Sequence, residues 1–317
     1  MLDIGVATMG RPFAEVARWA EQNGVRWLEV MAGPVFRAAG QTPDDVFDLD
    51  DIVRNGPGRV QEVLARHNVA ISAVAPMLNM LDPDPAVRER RAAVLRQTID
   101  ACALLGVDVA VIYGGSCAGM YFYGLPAMGP NHPSNRVDAN LRLFREVMLP
   151  LVDYAASKGV RIALETAPRG GGHGNIAHNP ELWDRIFAAV PSPALGLSFD
   201  PSHLVWLHIG PVADVIRCYG SRIYHVDGKD AEILRRNLAR QGILGNNWWR
   251  YRIPGMGELS WPAIISALLE VGYSGVIDVE NEDPIFPGLA GCAFACRHLA
   301  SILHGPFPQG GSTGRSR

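Results

Sequence analysis

The chain has 317 residues, 48% of them apolar and 19% charged, with a formal net charge of -3 at pH 7. That composition excludes wholesale disorder, and the near-neutral charge gives no electrostatic footprint for nucleic acid or an anionic membrane. The length admits one large domain or two small ones.

Met1-Leu-Asp-Ile-Gly-Val lacks the basic region and apolar run of a secretory signal, and no apolar stretch approaches the ~18 residues of a membrane span. A cytoplasmic protein is expected. The cysteines, Cys102, Cys117, Cys218, Cys292 and Cys296, are odd in number and lack the CxxC spacing of a zinc knuckle, and Cys292 and Cys296, one helical turn apart among Ala and Phe, read as small core residues of a reduced protein.

In chain order, short apolar, β-branched runs alternate with longer amphipathic stretches. A strand at Ile4 to Ala7 precedes a helix at Phe13 to Gln22, and a second strand at Trp27 to Val30 precedes a helix at Val60 to His67. Strands at Ala70 to Val74 and Val109 to Tyr113 are followed by helices at Ala86 to Leu105 and Leu141 to Ser157. Strands at Arg161 to Glu165, Leu195 to Phe199, Ile223 to Val226 and Val276 to Glu280 complete the series, with helices at Pro180 to Ala189 and Pro262 to Val271. Eight such units predict an α/β chain folded as a (β/α)8 TIM barrel over residues 1–304, with 305–317 as a disordered tail. Gly24, Gly106, Gly159 and Gly272 each stand where a left-handed cap would end a helix, and Ser260-Trp-Pro262 reads as a helix start.

Three connectors are longer than a plain barrel needs: Val35 to Pro57 after the second strand, Gly114 to Pro133 after the fourth and Gly228 to Arg252 after the seventh. All leave strand C-terminal ends, the face where barrel enzymes build their sites, and are expected to wall a pocket.

The last four strands close on acidic or imidazole groups: Ala163-Leu-Glu165, Leu197-Ser-Phe-Asp200-Pro-Ser-His203, Ile223-Tyr-His225-Val-Asp227 and Ile277-Asp-Val-Glu280. Carboxylates converging from neighbouring strands repel one another unless a cation joins them. Glu165, Asp200, His225 and Glu280 are therefore the expected ligands of one divalent metal ion. Their mixed carboxylate and imidazole donors suit manganese foremost, with magnesium, cobalt or zinc as alternatives.

With these motifs the chain resembles the sugar phosphate isomerase/epimerase superfamily, the xylose isomerase-like TIM barrels that include ketose 3-epimerases, hydroxypyruvate isomerase and inosose-processing enzymes. The resemblance runs from about Asp3 to Leu303. It implies that Glu165, Asp200, His225 and Glu280 bind the metal, that Glu165 and Glu280 double as acid and base, and that His203 contacts substrate oxygens. The ketose 3-epimerases usually carry an Arg after the seventh-strand His. Here the segment reads His225-Val-Asp-Gly-Lys229, so Lys229 is the candidate catalytic cation, although an ammonium does not reproduce a guanidinium fork. The fold also resembles endonuclease IV-type repair enzymes, but Val74-Ala-Pro-Met77 and Ile112-Tyr-Gly-Gly115 lack the extra histidines of their three-zinc cluster.

Further candidates for substrate contact are Glu29 at the end of the second strand, His173 in the Arg169-Gly-Gly-Gly-His173-Gly174 loop, and Trp248, Trp249 and Arg252 in the last long connector. Aromatic rings beside arginines suit sugars, and the same aromatics would equally suit a subunit contact in a homo-oligomer. Trp206 and His208 read as packing residues. The expected activity is a metal-dependent isomerisation or epimerisation of a small keto sugar or related polyhydroxy-carbonyl compound through an enediolate. The alternatives are a lyase using the same enolate and a non-catalytic sugar-binding barrel.

Overall fold

The computed structural model describes residues 2–32, 42–117, 136–170 and 173–305, without the side chains of Pro43, Arg169 and His173. Its strands are β1 (Asp3–Ala7), β2 (Trp27–Met31), β3 (Ala70–Ala75), β4 (Val109–Tyr113), β5 (Arg161–Glu165), the short β6 (Arg169–Gly170) and β7 (His173–Gly174), β8 (Leu195–Phe199), β9 (Ile223–Asp227), β10 (Asp230–Ile233), β11 (Trp249–Arg252) and β12 (Val276–Val279). The helices are α1 (Phe13–Gln22), α2 (Leu49–Asn55), α3 (Gly58–Arg66), α4 (Pro85–Leu105), α5 (Val137–Ser157), α6 (Pro180–Ala189), α7 (Pro201–Trp206), α8 (Val212–Tyr219), α9 (Arg235–Gln241), α10 (Trp261–Glu270) and α11 (Gly288–His304).

Parallel pairing in the order β1-β12-β9-β8-β5-β4-β3-β2 closes an eight-stranded barrel, as the alternation of elements predicts. Such strands are covered on both faces, which is why Leu195–Phe199 is buried at every position. Residues alternate in direction. One set, including Ile4, Val6, Leu28, Val30, Ile162, Leu164, Leu197, Ile277 and Val279, joins the main core with the helices. On α1, Phe13, Val16, Ala17 and Ala20 supply the matching stripe at helical spacing.

Inside the barrel, Met31, Ala73, Ala75, Val109, Val111 and Ala163 form a separate apolar cluster. The inward positions of β8, β9 and β12 are polar instead. Gly5 faces Asp278 from β1, where a Cβ would lie 2.0 Å from Asp278 Oδ1, so no larger residue fits there.

The expected helix stops hold, with Gly24, Gly106, Gly159 and Gly272 at φ values of 69 to 77°. Ser260 precedes α10 but makes no side-chain cap bond, unlike Asp84, whose Oδ1 accepts from Ala86 N at 2.9 Å. Helices α8 and α11 add to the stretches expected from sequence, and α5 starts at Val137, earlier than Leu141.

Of the long connectors, 35–41 and 118–133 lie outside the described residues, as does 306–317 of the expected tail. The remainder of the first connector carries α2, which Asp50 ties to Gln97 of α4 at 2.7 Å. The third forms an antiparallel hairpin, β10 with β11, carrying α9. Among the described residues no helix is long and apolar enough to cross a membrane. At the N-terminal mouth a cavity of about 540 Å³ opens, bordered by Asp3, Ser72, Asp108, Tyr224, His225 and Tyr273.

Candidate active site

The C-terminal mouth gathers charge from four strands. Glu165 ends β5, Asp200 follows β8 and starts α7, Asp227 ends β9, and Glu280 follows β12. Asp200 has a double duty, since its Oδ1 also caps α7 by accepting from Ser202 N at 2.8 Å. That cap places His203 on the first turn, with Nε2 2.9 Å from Asp200 Oδ2 and 3.6 Å from Glu165 Oε1. Tyr251 of β11 reaches in from the hairpin, its hydroxyl 3.3 Å from His203 Nδ1. The donor atoms of Glu165, Asp200 and His203 lie within 4.8 Å of one another, and all three residues are buried.

Lys229 lies between the carboxylates. Its Nζ stands 3.2 Å from Asp200 Oδ2, 2.7 Å from Glu280 Oε2 and 2.7 Å from Glu282 Oε2. The Tyr251 ring covers the ammonium at 4.4 Å. Glu280 thus meets Asp200 through Lys229.

His225 does not join this group. Between Leu197 and Ser198 the β8–β9 register shifts, so that Leu197 pairs with Ile223 but Ser198 with His225. The bulge absorbs Tyr224 and carries β9 on to Asp227. Asp227 therefore takes the strand-end place that the sequence reading assigned to His225, and His225 sits one inward step deeper. There its Nε2 is 3.0 Å from Asp278 Oδ2 and its Nδ1 2.9 Å from Ser198 Oγ and 3.7 Å from Asp227 Oδ1. Glu29 belongs to this lower group, with donor atoms of Glu29, His225 and Asp227 within 4.8 Å of one another.

Carboxylates outnumber cations here, and their ionisation reflects it. Burial, reinforced by Glu165, Glu29 and Glu280, pushes Asp227 well above the usual carboxylate range. Burial raises Glu280 to about 7 against the pull of Lys229, with Glu282 and Asp200 adding to the rise. It raises Glu29 to about 8, opposed by His225. Burial would also raise Asp200, but His203 and Lys229 hold it well below the usual range. Against the effect of burial, Asp200 lifts His203 to about 9, and Glu29 with Asp278 lifts His225 to about 9. Lys229 is held charged by Glu280, Asp200 and Glu282 despite its burial.

The remaining expected contacts fare differently. Trp248 is buried with Trp206, Ala231 and Ile233 in a local core and stacks on His208 at 6.0 Å. Trp249 stacks on Trp206 at 4.3 Å with an interplanar angle of 4°. These rings pack the hairpin onto α7, which is the packing role expected of Trp206 and His208, and Trp249 also stands edge-on to Tyr251 at 4.9 Å. Arg252 is likewise committed, at 2.9 Å from Asp283 and 2.6 Å from Glu232. The side chain of His173 lies outside the described residues.

Sequence reasoning passed over Asp227, Tyr251, Asp278 and Glu282. Asp278 carried its own signal, as a carboxylate inside an apolar strand demands a partner. Tyr113, paired in register with Glu165, also stands at the mouth, and burial with Glu165 and Glu280 raises its hydroxyl far above the ordinary value.

Comparison with known proteins agrees with the barrel fold. The profile of the xylose isomerase-like TIM barrels matches residues 17–301, and the chain belongs to that family. An uncharacterized Bacillus subtilis protein, YfiH, is 29% identical over 301 residues, covering 86% of this chain and 89% of that protein. Inosose dehydratase of Clostridium botulinum is 29% identical over 139 residues, covering 42% of this chain and 45% of the enzyme. The structure of 3-keto-D-glucoside 4-epimerase, YcjR, from E. coli superposes with a TM-score of 0.65 at 15% identity, covering 96% of this chain and 100% of that one. At that identity the likeness speaks for the fold alone.

Proposed function

We propose that the protein is a divalent-metal-dependent isomerase or epimerase that moves a proton beside the carbonyl of a keto sugar or related polyhydroxy-carbonyl compound. The observation that carries this reading is the chain of ion pairs at the C-terminal mouth that joins Glu165 through His203, Asp200 and Lys229 to Glu280. Family membership supports it.

The residues fit a metal ion. Asp227 and Glu280 are carboxylates whose negative charge is incompletely balanced by Lys229 and the histidines, and hard oxygen donors with one imidazole suit a divalent cation. Glu165, Asp200 and His203 would hold it, with Asp227 and Glu280 flanking. Such an ion would polarise the substrate carbonyl and stabilise the charge that develops on it.

The chain's own residues do the rest. One of Glu165 and Glu280 takes the proton from the carbon beside the carbonyl, and the other returns one, inverting the centre if it acts from the opposite face. Tyr251 fixes the tilt of the His203 ring through Nδ1, which leaves Nε2 directed at Asp200 and Glu165. Lys229, held over the Tyr251 ring, supplies positive charge beside the substrate oxygens. A second reading, a lyase, draws on the position of Lys229 between Glu280 and the half-exposed Glu282, from which its ammonium could protonate a leaving group β to the acidic carbon.

The test is turnover of a panel of ketopentoses and ketohexoses with Mn²⁺ in deuterium oxide, read by NMR. An epimerase incorporates solvent deuterium beside the carbonyl, and a lyase releases the β-substituent. Absence of exchange, interconversion and elimination across the panel with the manganese-loaded enzyme would overturn this substrate class.

A further inference from the structure

We propose a second divalent-cation site inside the barrel, one layer below the mouth, held by Glu29 of β2 and by His225 and Asp227 of β9. Their donor atoms lie within 4.8 Å of one another, and each residue is only 2% exposed. Clustered acids alone would not mark a site. Here Glu29 Oε2 is buried with no hydrogen-bond partner, and a buried carboxyl oxygen left without a partner is costly.

The imidazole is oriented for the same purpose. Asp278 Oδ2 accepts from His225 Nε2 at 3.0 Å, which leaves Nδ1 directed toward Ser198 and Asp227. A carboxylate that fixes one ring nitrogen so that the other can bind metal is the usual support of a histidine ligand. Asp278 has room for this position because residue 5 is glycine. Two carboxylates and one imidazole suit manganese, cobalt or zinc.

One of the three residues, His225, also borders the cavity at the N-terminal mouth. Asp227, bonded to Ser198 Oγ at 3.1 Å, is the residue through which a cation below would fix the geometry above.

Metal counting on the full chain tests the proposal. Protein stripped with a chelator is dialysed against Mn²⁺, and bound manganese is measured for wild type, Glu29→Gln, His225→Gln and Asp200→Asn. The expected result is two ions per chain in wild type and one in each variant. In wild type and Asp200→Asn, Mn²⁺ should raise the unfolding midpoint through the interior ion. A single ion kept by Glu29→Gln and His225→Gln but lost by Asp200→Asn overturns the interior site and leaves the catalytic metal standing. A single ion lost from Glu29→Gln and kept by Asp200→Asn supports the interior site and overturns the catalytic metal. No bound manganese overturns both. The two lower-site variants act on different strands, so either one that folds suffices for the comparison.

Discussion

The two halves of the barrel interior are built on different principles. Facing inward from β2 to β5, Met31, Ala73, Ala75, Val109, Val111 and Ala163 make a small apolar plug. Facing inward from β8, β9 and β12, Ser198, His225, Asp227 and Asp278 make a hydrogen-bonded polar column. Glu29 and Glu165 stand at the seams. The apolar half gains stability from every methyl it buries, whereas the polar half holds several carboxylates near one another in a medium that favours their protonation. The lesson is that one half secures the barrel's shape while the other carries the electrostatic tension that a cation and a substrate can relieve.

The largest effect should come from mixing the two principles. Val111→Asp places a carboxylate among the alanines and valines with no partner, and should cost about 4 kcal/mol or more in urea unfolding. A cost under ~1 kcal/mol would mean that the apolar half tolerates charge and that the contrast is only apparent. Next, Glu165→Gln keeps the shape of a residue at the seam but removes the base. At saturating metal kcat should fall ~10²-fold, equivalent to about 2.7 kcal/mol. Wild-type turnover in this variant would move the acid–base work to Lys229 or His203.

A smaller effect tests how the hairpin supports the polar half. Trp249→Ala removes the ring stacked on Trp206 of α7, and should lower stability by about 2 kcal/mol. Because α7 also carries His203, KM should rise when measured at saturating metal. Unaltered kinetics would confine Trp249 to packing. The smallest change is Ser198→Ala, which deletes the hydroxyl between His225 Nδ1 and Asp227 Oδ2 and should cost about 1 kcal/mol. Compared with Val111→Asp in thermal melts, it measures how much of the polar column depends on any single bond.

Much of this architecture follows from sequence because its causes are local. Side-chain alternation along Ile162–Leu164 or Leu195–Phe199, helical spacing on α1, and glycines at Gly24 and Gly106 act over a few residues, so the strand and helix series can be read directly. Acidic strand ends at Glu165, Asp200 and Glu280 could be read in the same way. Depth inside the barrel could not. Whether His225 or Asp227 stands at the mouth depends on a bulge in the pairing of β9 with β8, and β8 begins 28 residues earlier (223 − 195). Likewise, Trp248, Trp249 and Arg252 have the composition of a sugar-binding surface, but their partners on α7 and at Asp283 were set only when the hairpin folded back. Lys229 meets Asp200 and Glu280 from segments 29 and 51 residues away in the chain (229 − 200 and 280 − 229). Electrostatic pairing is a property of neighbours in space, and only closure of the barrel made these residues neighbours.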